Sequence, residues 1–362
     1  MEQLRVGIIG GGYMGKAHAV AARAVQVNAE LGVEVVLYGV AASTEASAMR
    51  YRQAFGFQRA YASAEALIAD ANIDAVIVAS PQDTHLNYVQ QAARVKKPVL
   101  CEKPMGRTLS EAKAIAEAAQ SVTNLVGYNY IQTPATVYAR QLIQDGELGD
   151  IMWCRVEHNE DFLVQPDSAA WRLTGKANGV LGDLMPHPIQ NALALAGPIH
   201  SLCADMTSWP QVRGMPISTD ANDDQVQFMC RFANGANGLV SASRVAHGRK
   251  MGYAYEIHGT RGALRFDQED QNALWVYRAE RDLGFQKVLS GPDQGGYDMF
   301  CQGPGHGTGY QDQIILEQAE FFSAHIGGRS AWPGFQQGVE VMQVVDAVRR
   351  SVKAASWVTV LE

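Results

Sequence analysis

The sequence predicts an α/β protein of two domains: a doubly wound parallel sheet first, then an α/β domain with a large, open, mostly antiparallel sheet. Three observations lead there. Through the first third, β-rich apolar runs alternate with helical segments; a Gly-x-Gly-x-x-Gly turn follows the first run; and beyond about residue 150 longer alternating strands replace that rhythm. At 362 residues the chain is long enough for two domains, and the texture places the boundary near residue 125, giving 1–125 and 126–362.

In order, the pattern predicts a strand over Arg5–Ile9, a helix from about Met14, a strand over Val33–Val40 and a helix over Glu45–Phe55. Next come a helix near Ala64–Ala69, the strand Ala75–Val78, a helix over Leu86–Arg94 and the strand Val99–Cys101. A helix over Glu111–Ala119 and the strand Leu125–Gly127 complete the first domain. Strands covered by helices on both faces should be apolar almost throughout, as "AVIVAS" and "PVLCE" are. Beyond Ile151, "IMWCRVEHN", "DDQVQFMCRF", "GLVSASRVA", "YAYEIHGT" and "GALRFD" alternate apolar and polar residues, which predicts a sheet with one buried face. Helices over Ala135–Asp145, Leu184–Leu195, Gln311–Ile326 and Gly338–Val352 are expected to cover one face of that sheet. The other face is expected to pack on a second copy, as a homodimer or homotetramer.

Composition narrows the partner. Hydrophobic residues are 47%, charged residues 19% and the net charge is −7, which excludes nucleic-acid binding by a broad basic surface and favours a small molecule. The first residues carry no secretory signal and no apolar run approaches a membrane span, so a cytoplasmic protein with no membrane partner is expected. The five cysteines form no C-x-x-C pair, and no cluster has metal-ligand spacing, so neither a disulfide framework nor a metal is predicted. His158, Glu160 and Asp161 are read as solvated or substrate-facing.

"GIIGGGYMGKAHA" carries Gly10, Gly12 and Gly15 at the passage from first strand to first helix, with Tyr13 and Met14 between the last two. There the first glycine permits the tight turn, the second lets a pyrophosphate approach the backbone and the third lets helix and strand pack closely. The helix N-terminus adds free N–H groups and partial positive charge. A dinucleotide is therefore expected. The acid that would hold its ribose after the second strand is missing: Ala42, Ser43 and Thr44 stand in its place. With no carboxylate to repel a 2′-phosphate, and with two hydroxyl donors, the cofactor is NAD or NADP with the balance towards NADP. Arg50 and Arg52 lie further into the next helix. Ser80, Pro81 and His85 follow one strand and Glu102 and Lys103 another, at the carboxyl ends where an open parallel sheet binds its ligand; His85 reads equally well as a polar residue opening a surface helix. Further on, Asp183 and His187 stand four apart at the start of an apolar-periodic helix. This suits a carboxylate that orients an imidazole for proton transfer, or equally an N-cap and a core histidine.

Taken together, "GGGYMGKAHA", "ASPQDTH", "EKPMG", "GYNYIQTPA", "WRLTGKANGVLGDLMPH" and "GYQDQIILEQAEFFSAHIGG" resemble the glucose-fructose oxidoreductase, inositol dehydrogenase and MocA family over nearly the whole chain. "FANGA", "AHGR" and "YEIHGTRGALRFD" look most like its levoglucosan and inositol dehydrogenase branch. The resemblance implies a Rossmann domain, a nicotinamide cofactor and a sugar, anhydrosugar or cyclic polyol as substrate. It carries the family's catalytic lysine to Lys103 and its Asp-x-x-x-His pair to Asp183 and His187. Glu102 would hold Lys103 or contact the cofactor, with Asn129 beside it. Tyr130, Trp171 and Arg172 are candidates for the substrate wall. Two other activities occur among such proteins: glycoside hydrolysis through transient oxidation, and non-catalytic sugar sensing. The presence of Lys103, Asp183 and His187 disfavours the second.

Overall fold

A computed structural model describes residues 2–164, 175–209, 222–300 and 303–361. The chain forms two compact units. The division is not a single cut: the first unit comprises Met1–Gln132, Met299–Cys301 and Gly309–Glu340, and the second Thr133–Asp298, Gln302–Thr308 and Val341–Glu362.

The first unit runs β1 (Gln3–Ile9), α1 (Tyr13–Asn28), β2 (Glu34–Ala41), α2 (Glu45–Phe55), β3 (Arg59–Tyr61), α3 (Ala64–Ala69), β4 (Ala75–Val78), α4 (His85–Arg94), β5 (Val99–Glu102), α5 (Leu109–Ala118) and β6 (Asn124–Gly127). The strands are parallel in the order β3-β2-β1-β4-β5-β6, so the order reverses between β1 and β4. Such a switch opens a crevice at the carboxyl ends of the strands. All residues of β4 and β5 are buried, as expected for central strands with helices on both faces. The short β3 has no counterpart in the sequence analysis: "RAY" is half-exposed and too brief to show a period.

The second unit holds α6 (Pro134–Gln144), β7 (Ile151–Asn159), α7 (Val180–Asp183), α8 (Pro186–Ala196), β8 (Ile199–Thr207), β9 (Gln225–Phe232), β10 (Asn237–Ser243), β11 (Gly252–Gly259), β12 (Gly262–Asp267), β13 (Ala273–Arg278) and β14 (Gln286–Leu289). After α9 (Tyr310–Ile326) and α10 (Phe335–Ala354), β15 (Val358–Thr359) closes the sheet. Its nine strands run β14-β13-β12-β11-β7-β10-β9-β8-β15, antiparallel except for β7 beside β10. Strand β9 shows the alternation plainly, with Val226, Phe228, Cys230 and Phe232 buried and the residues between them exposed. Met229 is among the exposed ones.

Helix α9 departs from expectation. Rather than covering the large sheet, it packs along α1 and belongs to the first unit, where Ile314, Ile315, Phe321 and Phe322 join the core of β1 and α1. Its middle is buried nearly all round, including Gln313, Glu317 and Gln318. Such a helix lies inside a layer rather than on a surface.

Candidate active site

The three glycines of the first turn differ in what they permit. Gly10 has φ +134°, donates its N–H to the Ala41 carbonyl at 2.9 Å, and a Cβ on it would meet the Ala79 carbonyl oxygen at 2.3 Å. At Gly15 a Cβ would fall 2.1 Å from the Gly10 oxygen, so α1 could not sit so close to the turn with any other residue. Gly12 has nothing within 4 Å of that position and leaves its surface open. It is the N-cap of α1, with no side-chain cap and no acid in the first turn, so N–H groups and helix dipole face an approaching anion. This donor set fits the pyrophosphate of a dinucleotide.

Tyr13 is exposed beside this turn, its ring 6.2 Å from that of Tyr310, which in turn lies 6.1 Å from Tyr130. The Tyr310 hydroxyl reaches the Met14 sulfur at 3.6 Å, and burial raises its pKa. The sequence analysis missed Tyr310 because it opens α9, nearly 300 residues beyond the glycine turn. At the end of β2, Ala42 is half-buried while Ser43 and Thr44 are exposed. Thr44 caps α2 by accepting from the Ser47 N–H at 3.2 Å, which leaves its hydroxyl hydrogen free to donate.

After β4, Thr84 donates to the Pro81 carbonyl at 2.7 Å, so the 2.6 Å contact between the two hydroxyls has Ser80 donating to Thr84. Pro81 is exposed. His85, expected to flank a cofactor, is instead buried, with Nε2 at 2.9 Å from the Ser80 oxygen and Nδ1 at 3.1 Å from the Pro104 oxygen. Burial pushes its pKa down. With one N–H, the neutral imidazole donates to one of these carbonyls and packs against the other, between the ends of β4 and β5. Asn129 is likewise buried, its amide donating to Gln313 Oε1 at 3.0 Å, and Tyr130 is buried behind Tyr310. Both lie on a short turn that packs against α9.

Lys103 emerges half-buried from the carboxyl end of β5, and the peptide joining it to Pro104 is cis. Glu102 is buried just before it. One carboxylate oxygen accepts from His18 Nε2 at 2.8 Å and the other from the backbone N–H of Lys103 at 3.2 Å. Burying a carboxylate is tolerable only with such donors. Space for it comes from Gly127 on β6, where a Cβ would lie 3.1 Å from the Glu102 carboxyl carbon.

In the second unit, Asp183 and His187 do not share one helix. Asp183 ends α7 and His187 is the second residue of α8, after a break at Leu184–Met185, so Asp183 is not an N-cap. Pro186 and Pro188, in the first turn of α8, cost little there because those positions need no N–H partner. His187 is buried, its ring 5.7 Å from that of His158, which stands 5.5 Å edge-on from Tyr253. Burial raises the Tyr253 pKa well above its ordinary value. His158 Nε2 donates to Glu160 at 2.8 Å, and Lys250 holds Asp161 at 2.7 Å. The solvated reading therefore fails for His158, and strand parity could have found it: Cys154, Val156 and His158 all point inward from β7. Behind α7, Asp223 accepts the Leu181 N–H at 2.6 Å, and the fully buried Arg244 donates to Asp224 at 3.0 Å and to the Asn178 carbonyl at 2.8 Å. Trp171 and Arg172 lie outside the described residues.

A parallel sheet with an open glycine turn, and a lysine leaving the same sheet edge, define a nucleotide-binding oxidoreductase of the Rossmann class. Residues 4–130 match the oxidoreductase family with an NAD-binding Rossmann fold, and residues 136–265 match the GFO/IDH/MocA C-terminal domain. Levoglucosan dehydrogenase of Pseudarthrobacter phenanthrenivorans is 34% identical over 99% of both chains, and inositol 2-dehydrogenase of Rhizobium meliloti 27% identical over 96% of this chain and 97% of that one. A solved levoglucosan dehydrogenase in complex with NADH and levoglucosan superposes with a TM-score of 0.95, at 34% identity and complete coverage of both chains. The chain belongs to the GFO/IDH/MocA oxidoreductase family.

Proposed function

We propose that this protein is a dehydrogenase that oxidises a secondary hydroxyl of a sugar, anhydrosugar or inositol-type cyclic polyol with NAD or NADP. The observation that carries the reading is Lys103 at the carboxyl end of β5, on the sheet edge where the Gly10–Gly15 turn opens. Gly10, Gly12, Gly15, Tyr13, Met14, Ser43, Thr44, Ser80 and Pro81 would hold the dinucleotide, which supplies the hydride acceptor when bound. His187 takes the hydroxyl proton, with Asp183 orienting it, while the Lys103 ammonium stabilises charge developing on the substrate oxygen. The His158 ring lies 5.7 Å from that of His187 and is itself backed edge-on by Tyr253.

The named relatives act on levoglucosan and inositol, which supports this substrate class. The test is a panel of inositols, aldoses and anhydrosugars assayed with each dinucleotide, following the absorbance of reduced nicotinamide. Steady reduction with free polyols is expected. Turnover of glycosides without net cofactor reduction would favour the hydrolase reading and overturn this one. Because no carboxylate follows β2, kcat/KM is expected to favour NADP; a preference for NAD of about tenfold or more, or about 1.4 kcal/mol, would reverse that assignment.

We also propose that the open face of the nine-stranded sheet packs on a second copy. Its support is the row formed by Gln225, Gln227, Met229 and Arg231 on β9, with Trp357 stacked at 5.0 Å on Arg231 and half-exposed. A mass above that of one chain by light scattering is expected, and Met229→Lys should lower it. A monomer at micromolar concentration would refute the assignment.

A further inference from the structure

His18 on α1, Glu102 on β5 and Glu317 on α9 bring one ring nitrogen and two carboxylate oxygens within 4.8 Å of one another, all buried. The hydrogen bonds settle where the protons lie. The Gln318 amide nitrogen donates to the His18 carbonyl at 3.0 Å and to His18 Nδ1 at 3.0 Å. Nδ1 is thus an acceptor, and the ring proton sits on Nε2, which donates it to Glu102. Glu102 receives two donors and is satisfied as an anion. Glu317 is 1% exposed and neither of its oxygens has a hydrogen-bond partner.

We propose that Glu317 is held as a neutral carboxylic acid and is a positioning residue for Lys103, leaving Glu102 as the single anion that pins the Lys103 backbone. The inference rests on the function assigned above to Lys103. A second buried negative charge beside Glu102 would be repelled by it, and among the described residues no hydrogen bond to Glu317 offsets that charge. Lys16 and Arg23 of α1 are exposed, the Asn129–Gln132 turn offers only Tyr130, β6 has no titratable group, and burial raises the pKa of Tyr310 on α9 itself. Burial first, and then the Glu102 charge, push the Glu317 pKa well above its ordinary value. Ionisation would force the two carboxylates apart. Glu102 can give way only by releasing the His18 or Lys103 N–H.

Three measurements on the intact protein and its Glu317→Gln variant test this. Difference infrared spectroscopy at neutral pH is expected to show the carbonyl stretch of a protonated carboxyl in the wild type and none in the variant. Stability gives the second. Because the folded-state pKa lies above the unfolded one, the native state favours the proton. The contribution of Glu317 is complete below the unfolded value and declines as pH rises towards the folded one. The Tm of E317Q should therefore rise relative to wild type from pH 5 to 8. Third, the alkaline limb of the wild-type kcat profile should move to higher pH in the variant. No infrared band, or an E317Q Tm that falls or stays level relative to wild type as pH rises, overturns the proton assignment whatever the substrate proves to be. A variant about tenfold down in kcat already at neutral pH, with its alkaline limb unmoved, overturns the positioning role.

Discussion

Replacing Lys103 with alanine is expected to lower kcat by about 100- to 1,000-fold while leaving the Kd for the dinucleotide within about threefold. The reason for the split is where the side chain is attached. The glycine turn and the N-terminus of α1 offer the dinucleotide backbone donors that owe nothing to Lys103. The lysine stands instead at the end of β5, braced by Glu102 through its backbone N–H and, one residue further on, by His85 through the Pro104 carbonyl. In the proposed mechanism its ammonium acts on charge that develops in the transition state, and interactions of that kind appear in kcat rather than in ground-state binding. Stopped-flow rates with saturating cofactor and fluorescence titration of the dinucleotide check the two halves. Equal losses in kcat and cofactor affinity would reassign Lys103 to cofactor binding.

The second large effect is expected at His187. Exchange for asparagine should reduce kcat by about 100- to 10,000-fold, the range ordinarily lost with a general base. Asparagine keeps a polar group of similar reach and so separates proton acceptance from the filling of space. The same exchange separates the proposed base from a core histidine. His187 is buried at the start of α8 against a second imidazole, whose own Nε2 is committed to Glu160. Loss of the histidine should also flatten the fall of kcat towards acid pH, because the group that must be deprotonated is gone. A variant with near wild-type kcat would remove His187 from the mechanism.

Much of this arrangement was legible in the residues. β4 and helices α2 and α3 begin and end where apolar runs and caps mark them: Thr44 and Ser63 both accept from a backbone N–H inside the helix that follows. The glycine turn was legible because each of its glycines answers a separate steric demand. What failed was long-range. Gln313, Glu317 and Gln318 look like the polar face of a surface helix, and only the packing of α9 on the Asn129 turn and on α1 shows that Gln313 meets Asn129, Gln318 meets His18 and Glu317 is buried. The burial of His85 and Asn129 was hidden for a related reason. A polar residue after a parallel strand can face a ligand or brace the backbone, and periodicity does not distinguish these. The break between Asp183 and His187 was hidden because four-residue spacing is equally compatible with one helix and with two.

The placement of α9 bears on how the chain acquires its structure. Residues 3–127 carry all six strands of the first sheet, yet the groove along α1 is filled only by residues 310–326. During synthesis, about 180 residues, most of them belonging to the other unit, emerge before that helix does. Until then Ala17, Ala21 and Val25 are without part of their apolar cover, and His18 lacks the amide that selects its tautomer. Contacts between segments so far apart in sequence are slow to form, and the chain that awaits them is exposed to aggregation. The amino-terminal segment is thus expected to be a poor independent folder despite its complete sheet, and residues 310–326 are as necessary to the nucleotide-binding unit as residues 3–127.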